Sequence, residues 1–81
     1  MKYTVQLFAR ARDLAGSALI ELELPEAAVI RDLRRELGQQ VPTLLEILPH
    51  LLISLNEDYA HDDQRIPPEA RIACFPAVSG G

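Results

Sequence analysis

At 81 residues, 48% hydrophobic and 25% charged, the chain is one small globular domain with a thin core, and its apolar content excludes a disordered tail. A net charge of −4 argues against nucleic acid as a partner. No apolar run approaches the roughly 20 residues of a membrane span, and Lys2, Thr4, Gln6 and Arg10 interrupt any signal-peptide core, so no membrane association is expected.

Tyr3, Val5, Leu7 and Ala9 alternate with Thr4, Gln6 and Phe8, the period of a strand. Phe8 makes the second face partly apolar, which predicts a central strand. Arg10–Ala15 suits one helical turn closed by Gly16. Ala18, Ile20, Leu22 and Leu24 alternate with Leu19, Glu21 and Glu23, a second strand ended by Pro25. Val29, Ile30, Leu33 and Leu37 stand at helical spacing opposite Arg31, Asp32, Arg34, Arg35 and Glu36, with Glu26 near the start and Gly38 as the expected terminator. No good capping residue stands near Ala27 or Ala28. A short helix is predicted over Thr43–Leu48, after Pro42 and before Pro49.

Leu51–Leu55 reads as a buried strand, Asn56-Glu57-Asp58 as its exit turn, and Tyr59 as a short strand in an otherwise polar stretch. Arg71–Phe75 is the last strand, stopped by Pro76. The long connection before it lets this strand insert beside the first in parallel. The order is that of an α+β domain of the β-grasp, ubiquitin-like type: a mixed sheet of four or five strands with one main helix on one face. Residues 1–76 form the domain and residues 77–81 a tail.

The usual catalytic residues are scattered. Cys74, His50 and His61 lack the close pairs of a zinc site, and no metal is expected. Cys74 lies mid-strand, where a buried small hydrophobe is the commoner role; as the lone cysteine it forms no internal disulfide, which fits a cytoplasmic chain. Glu57, Asp58, Asp62 and Asp63 read as a solvated loop without calcium-loop spacing. Arg31, Arg34 and Arg35 read as an exposed face or a docking patch.

The informative feature is the ending, Gly80-Gly81, straight after Phe75, Pro76, Ala77 and Val78. Two glycines at a fixed pair of positions occur by chance in about one chain in 200. An apolar strand end followed by two residues without side chains suits insertion into another protein.

Three segments carry a resemblance: Leu7-Phe8-Ala9-Arg10-Ala11-Arg12-Asp13-Leu14-Ala15-Gly16, Leu55-Asn56-Glu57-Asp58-Tyr59, and Ile72-Ala73-Cys74-Phe75-Pro76-Ala77-Val78-Ser79-Gly80-Gly81. In order and over essentially the whole chain, they resemble the small subunits of molybdopterin synthase, sulfur carriers of the MoaD/ThiS type. Cys74 stands where that family often has a bulkier hydrophobe, and Ala77 where it often has a second proline. The resemblance implies that Gly81, with Gly80 completing the tail, is adenylated by a ubiquitin-activating-like partner using ATP. It is then converted to a thiocarboxylate that donates sulfur to a cyclic pyranopterin precursor. It further implies a large catalytic subunit that supplies the pocket, in a heterotetramer, with no cofactor held by the carrier itself. Phe75, Pro76, Val78, Ser79, Phe8 and Arg12 are then the partner-binding residues. A carrier for thiamine thiazole synthesis and a ubiquitin-like modifier joined to lysines are the alternatives.

The chemistry suits these residues. A terminal carboxylate is ionised at neutral pH and needs a leaving group before it accepts sulfur. Glycine leaves its carbonyl open to a bound nucleotide. Residues 76–81 extend to about 20 Å, enough to thread a channel while the domain stays outside.

Overall fold

The computed structural model describes residues 1–77. Strand β1 (Lys2–Leu7) buries Tyr3, Val5 and Leu7 and exposes Lys2, Thr4 and Gln6, as the alternation requires. It ends before Ala9, because Phe8 is already the N-cap of helix α1 (Ala9–Ala15). The expected single turn is thus a seven-residue helix, whose fully buried Ala11 ties it to the core. Gly16 closes it at a φ of 73°, its N–H donating to the Arg12 carbonyl at 2.9 Å. Strand β2 (Leu19–Glu23) follows, with Leu22 inward and Leu19, Glu21 and Glu23 outward.

Helix α2 (Ile30–Gln40) turns Ile30, Leu33 and Leu37 onto the sheet with no exposed surface left on any of them. Its start is better defined than the sequence implies. Asp32, three residues inside, accepts the Val29 N–H at 3.0 Å, the half of a capping box that Val29 cannot reciprocate. Gly38 is not the terminator: the helix runs on to Gln40, and Val41 caps it. The physical reason lies across the interface. A Cβ on Gly38 would stand 2.8 Å from Leu48 Cδ2 and 3.0 Å from Leu45 Cδ2, so the glycine lets this segment approach the helix.

The short helix expected over Thr43–Leu48 is instead two 3-10 turns, Pro42–Leu44 and Leu48–His50, each with a proline in its first two positions. Strand β3 (Leu51–Leu55) leads through Asn56 and Glu57, both at positive φ, into β4 (Asp58–Tyr59). That is the backbone of a tight hairpin turn. Strand β5 (Ile72–Pro76) starts and ends one residue later than the alternation implied.

The sheet order is β2-β1-β5-β3-β4. β5 lies between β1, to which it is parallel, and β3, to which it is antiparallel. The insertion of the last strand beside the first is therefore as the sequence predicts. One face of this sheet, through Val5, Leu7, Leu22, Ile53, Leu55, Ile72 and Cys74, joins the α2 residues in a single core. No helix among the described residues is long and apolar enough to cross a membrane.

Candidate functional site

The second face is not closed by the chain. Cross-strand register places Leu19, Gln6, Ala73, Ser54 and Tyr59 in one row across all five strands. One step along, Leu52 sits opposite Phe75. Tyr59 is 70% exposed and Leu52 37%, and the rings of Tyr59 and Phe75 lie 5.8 Å apart in a tilted arrangement. Phe75 itself is half-buried. It points away from the core, because Cys74 beside it points inward and side chains alternate along a strand.

Phe8 joins this end of the sheet through its backbone, its N–H donating to the Cys74 carbonyl at 3.1 Å, and its ring is 40% exposed. Arg12 follows one helical turn later, on the same side of α1 as Phe8, and is exposed. Pro76 ends β5 opposite Leu51, and Ala77 is exposed beyond it. The structure thus brings Phe8, Arg12, Phe75 and Pro76 to one end of the molecule. Val78, Ser79, Gly80 and Gly81 lie outside the described residues.

Leu52 and Tyr59 belong to this patch, and sequence reasoning missed both. Leu51–Leu55 reads as wholly buried because nearly every residue is apolar. The outward position of Leu52 follows only once register with Phe75 is known. Hollows of about 340, 670 and 280 Å³ open on the surface; Leu19 lines the first and Leu52 the second, whereas Phe8, Phe75 and Pro76 line none of them. Exposed apolar residues set outside these hollows, as Phe8, Phe75 and Pro76 are, fit a protein surface better than a small molecule.

The remaining candidates resolve differently. Cys74 is fully buried, and burial pushes its thiol up to about 12 against a small opposing pull from the Arg34 charge. It is a core residue and not a nucleophile. The loop carrying Asp62 and Asp63 is not merely solvated: Asp63 pairs with Arg31 and Asp62 with Arg34 at 3.1 Å, while Arg35 pairs with Asp32 at 2.6 Å. The reading of an exposed face holds for Arg31 and Arg35, each paired with a carboxylate, whereas Arg34 is largely buried, so the three do not stand together as an open docking patch. Among the described residues, no three His, Cys, Asp or Glu side chains are grouped to hold a metal ion.

The ThiS family model matches residues 5–81. The molybdopterin synthase sulfur carrier subunit of Arabidopsis thaliana is 34% identical over 77 residues, covering 95% of this chain and 80% of that protein. A Pyrococcus furiosus structure assigned as subunit 1 of molybdopterin converting factor superposes with a TM-score of 0.84 at 32% identity, over 95% of this chain and 98% of that one. A chain in the complex of subunits 1 and 2 of molybdopterin-converting factor from Helicobacter pylori shares the fold at a TM-score of 0.69 and 22% identity, with 100% of both chains covered. The β-grasp expectation holds across these neighbours. With a family match over nearly the whole length, on a β-grasp sheet whose last strand ends beside an exposed apolar patch, the chain belongs to the ThiS family.

Proposed function

We propose that this protein is the sulfur-carrier small subunit of a molybdopterin synthase, working in the cytoplasm. The observation that carries the reading is the likeness to the Arabidopsis sulfur carrier subunit over 95% of the chain. The placement of Phe75 and Pro76 supports it: the strand that leads to the tail ends within an apolar patch, so one partner surface would grip the patch and receive the tail together.

In this reading the Gly81 carboxylate attacks the α-phosphate of ATP on an adenylating partner of the ubiquitin-activating kind, and pyrophosphate leaves. A sulfur donor then displaces AMP and leaves a thiocarboxylate. The charged carrier docks on a large catalytic subunit in a heterotetramer. There the tail, with Val78 and Ser79 as its neck, delivers sulfur to a pyranopterin precursor. The Helicobacter complex of subunits 1 and 2 contains a chain of this fold, which agrees with a large-subunit partner. ATP is the adenylating partner's substrate, and the carrier holds no cofactor of its own.

Deleting Gly81 tests the chemistry. Gly80 would present the same carboxylate drawn back by about 3.3–3.6 Å. Near-attack geometry tolerates less, so adenylation and sulfur transfer should fall about 10²-fold or more with the thermal melt unchanged. A residue appended after Gly81 should block activation too. Full transfer by the deletion variant would falsify the mechanism. Sulfur passed to a thiazole precursor, or conjugates on lysines of other proteins, would move the assignment to a different acceptor.

A further inference from the structure

Strand β5 loses neighbours as it nears the tail. β1 pairs with it only at Ile72, Ala73 and Cys74, so the strand partners of Phe75 and Pro76 are Leu52 and Leu51 of β3. The start of β3 is itself poorly braced. β4 is two residues long, and beyond the Ala60 N–H that donates to the Ile53 carbonyl at 2.9 Å it offers no strand partner further back toward Leu51.

A side chain takes that place. Arg34, on α2, donates from Nη1 to the Leu48 carbonyl at 2.7 Å and to the Leu51 carbonyl at 2.9 Å, and from Nη2 to Asp62 Oδ1 at 3.1 Å. These two carbonyls bracket the 3-10 turn that feeds β3. Its side chain is 19% exposed, so the two carbonyl bonds are partly shielded from water while the bond to Asp62 is exposed, and its charge is felt as far as Cys74 in β5. A planar guanidinium with several fixed donors can hold two carbonyls and a carboxylate together, where an ammonium cannot do so with the same geometry.

We propose that Arg34 is a positioning residue for the C-terminal segment: by anchoring Leu48 and Leu51 to α2 it fixes the place where Pro76 hands the chain on to the tail. The inference rests on the carrier reading, since it assigns Arg34 an effect on the delivery of Gly81. The docking patch lies on the other face of the sheet, and of its residues only Leu52 shares a hollow with Arg34. Removing the anchor should therefore leave partner recognition intact and disturb the reach of the tail, for which displacements near 1 Å matter.

The test compares Arg34→Met and Arg34→Lys with wild type in adenylation and sulfur transfer, with amide hydrogen exchange at Leu52 and Phe75 alongside. For folded Arg34→Met, kcat should fall about tenfold or more while KM for the partner stays within about twofold. Exchange at Leu52 and Phe75 should quicken, and Arg34→Lys should recover part of the loss. A folded Arg34→Met with wild-type kcat, or with unchanged exchange at both amides, overturns the proposal. So does failure of both variants to fold, which would make Arg34 a plain stability element. If wild type itself transfers no sulfur, the carrier reading fails instead, and exchange still decides whether Arg34 braces the strand.

Discussion

Ile72 and Cys74 point from β5 into a layer closed by α2, while Ala73 and Phe75, from the same short strand, point the other way into no layer at all. On the inner face the chain supplies its own cover, and Val5, Leu33, Leu37 and Cys74 keep no exposed surface. On the outer face Phe8, Leu19, Leu52 and Tyr59 stay at 37–70% exposure. A chain that could seal one side so completely has left apolar side chains open at one end of the other, beyond the polar Lys2, Thr4, Gln6, Glu21 and Glu23. Stability belongs to the first face, and the carrier reading proposed above assigns association to the second.

Substitutions can break that division. Leu33→Ala, on the closed face, should leave a cavity that costs about 2–5 kcal/mol, a large part of the stability of so small a domain. Its thermal midpoint should fall by about 10 °C or more. A wild-type melt would mean that Leu33 does not serve the core. Phe75→Ala, on the open face, should weaken partner association by more than about 1 kcal/mol, measured by calorimetry, and shift the melt far less than Leu33→Ala. If it lowers the melt as much and leaves binding intact, the two faces are not divided in this way.

The smallest effect at neutral pH concerns Cys74. Its thiol is held neutral by burial, at about 12 against an ordinary 9.0. As pH rises above about 9 the unfolded chain loses this proton before the folded one does. The contribution of Cys74 is thus complete below pH 9 and is lost as pH climbs toward 12. Wild type should lose more of its thermal midpoint over that window than Cys74→Ala does. At about pH 8 iodoacetamide should label the folded protein far more slowly than the unfolded chain.

Much of this architecture is legible in the amino-acid sequence. Period-2 alternation in Tyr3–Leu7 and Ala18–Leu24, helical spacing at Val29–Leu37, and prolines and glycines between them give the β-grasp order. The features that local pattern misses are set by tertiary contacts. Gly38 stands where a helix terminator would, yet its role is set by Leu45 and Leu48, which meet it only in the folded chain. Arg34 shares its helix with exposed charges, and its burial depends on carbonyls at Leu48 and Leu51, well along the chain. Phe75 and Pro76 stand out as candidate partner contacts because they lead into the glycines. Leu52 and Tyr59 join them only through sheet register, which no local pattern encodes.

The central position of the last strand bears on synthesis as well as on architecture. Until residues 72–76 leave the ribosome, β1 with β2 and β3 with β4 are two separate hairpins, and an isolated two-stranded hairpin is marginal in water. The sheet cannot close early, because its parallel seam joins the start of the chain to its last strand. A truncated product cut short of Ile72 would therefore display neither a closed sheet nor the register opposite Leu52 that creates the apolar patch. A partner that recognised the assembled patch would meet it only on chains complete through residue 76.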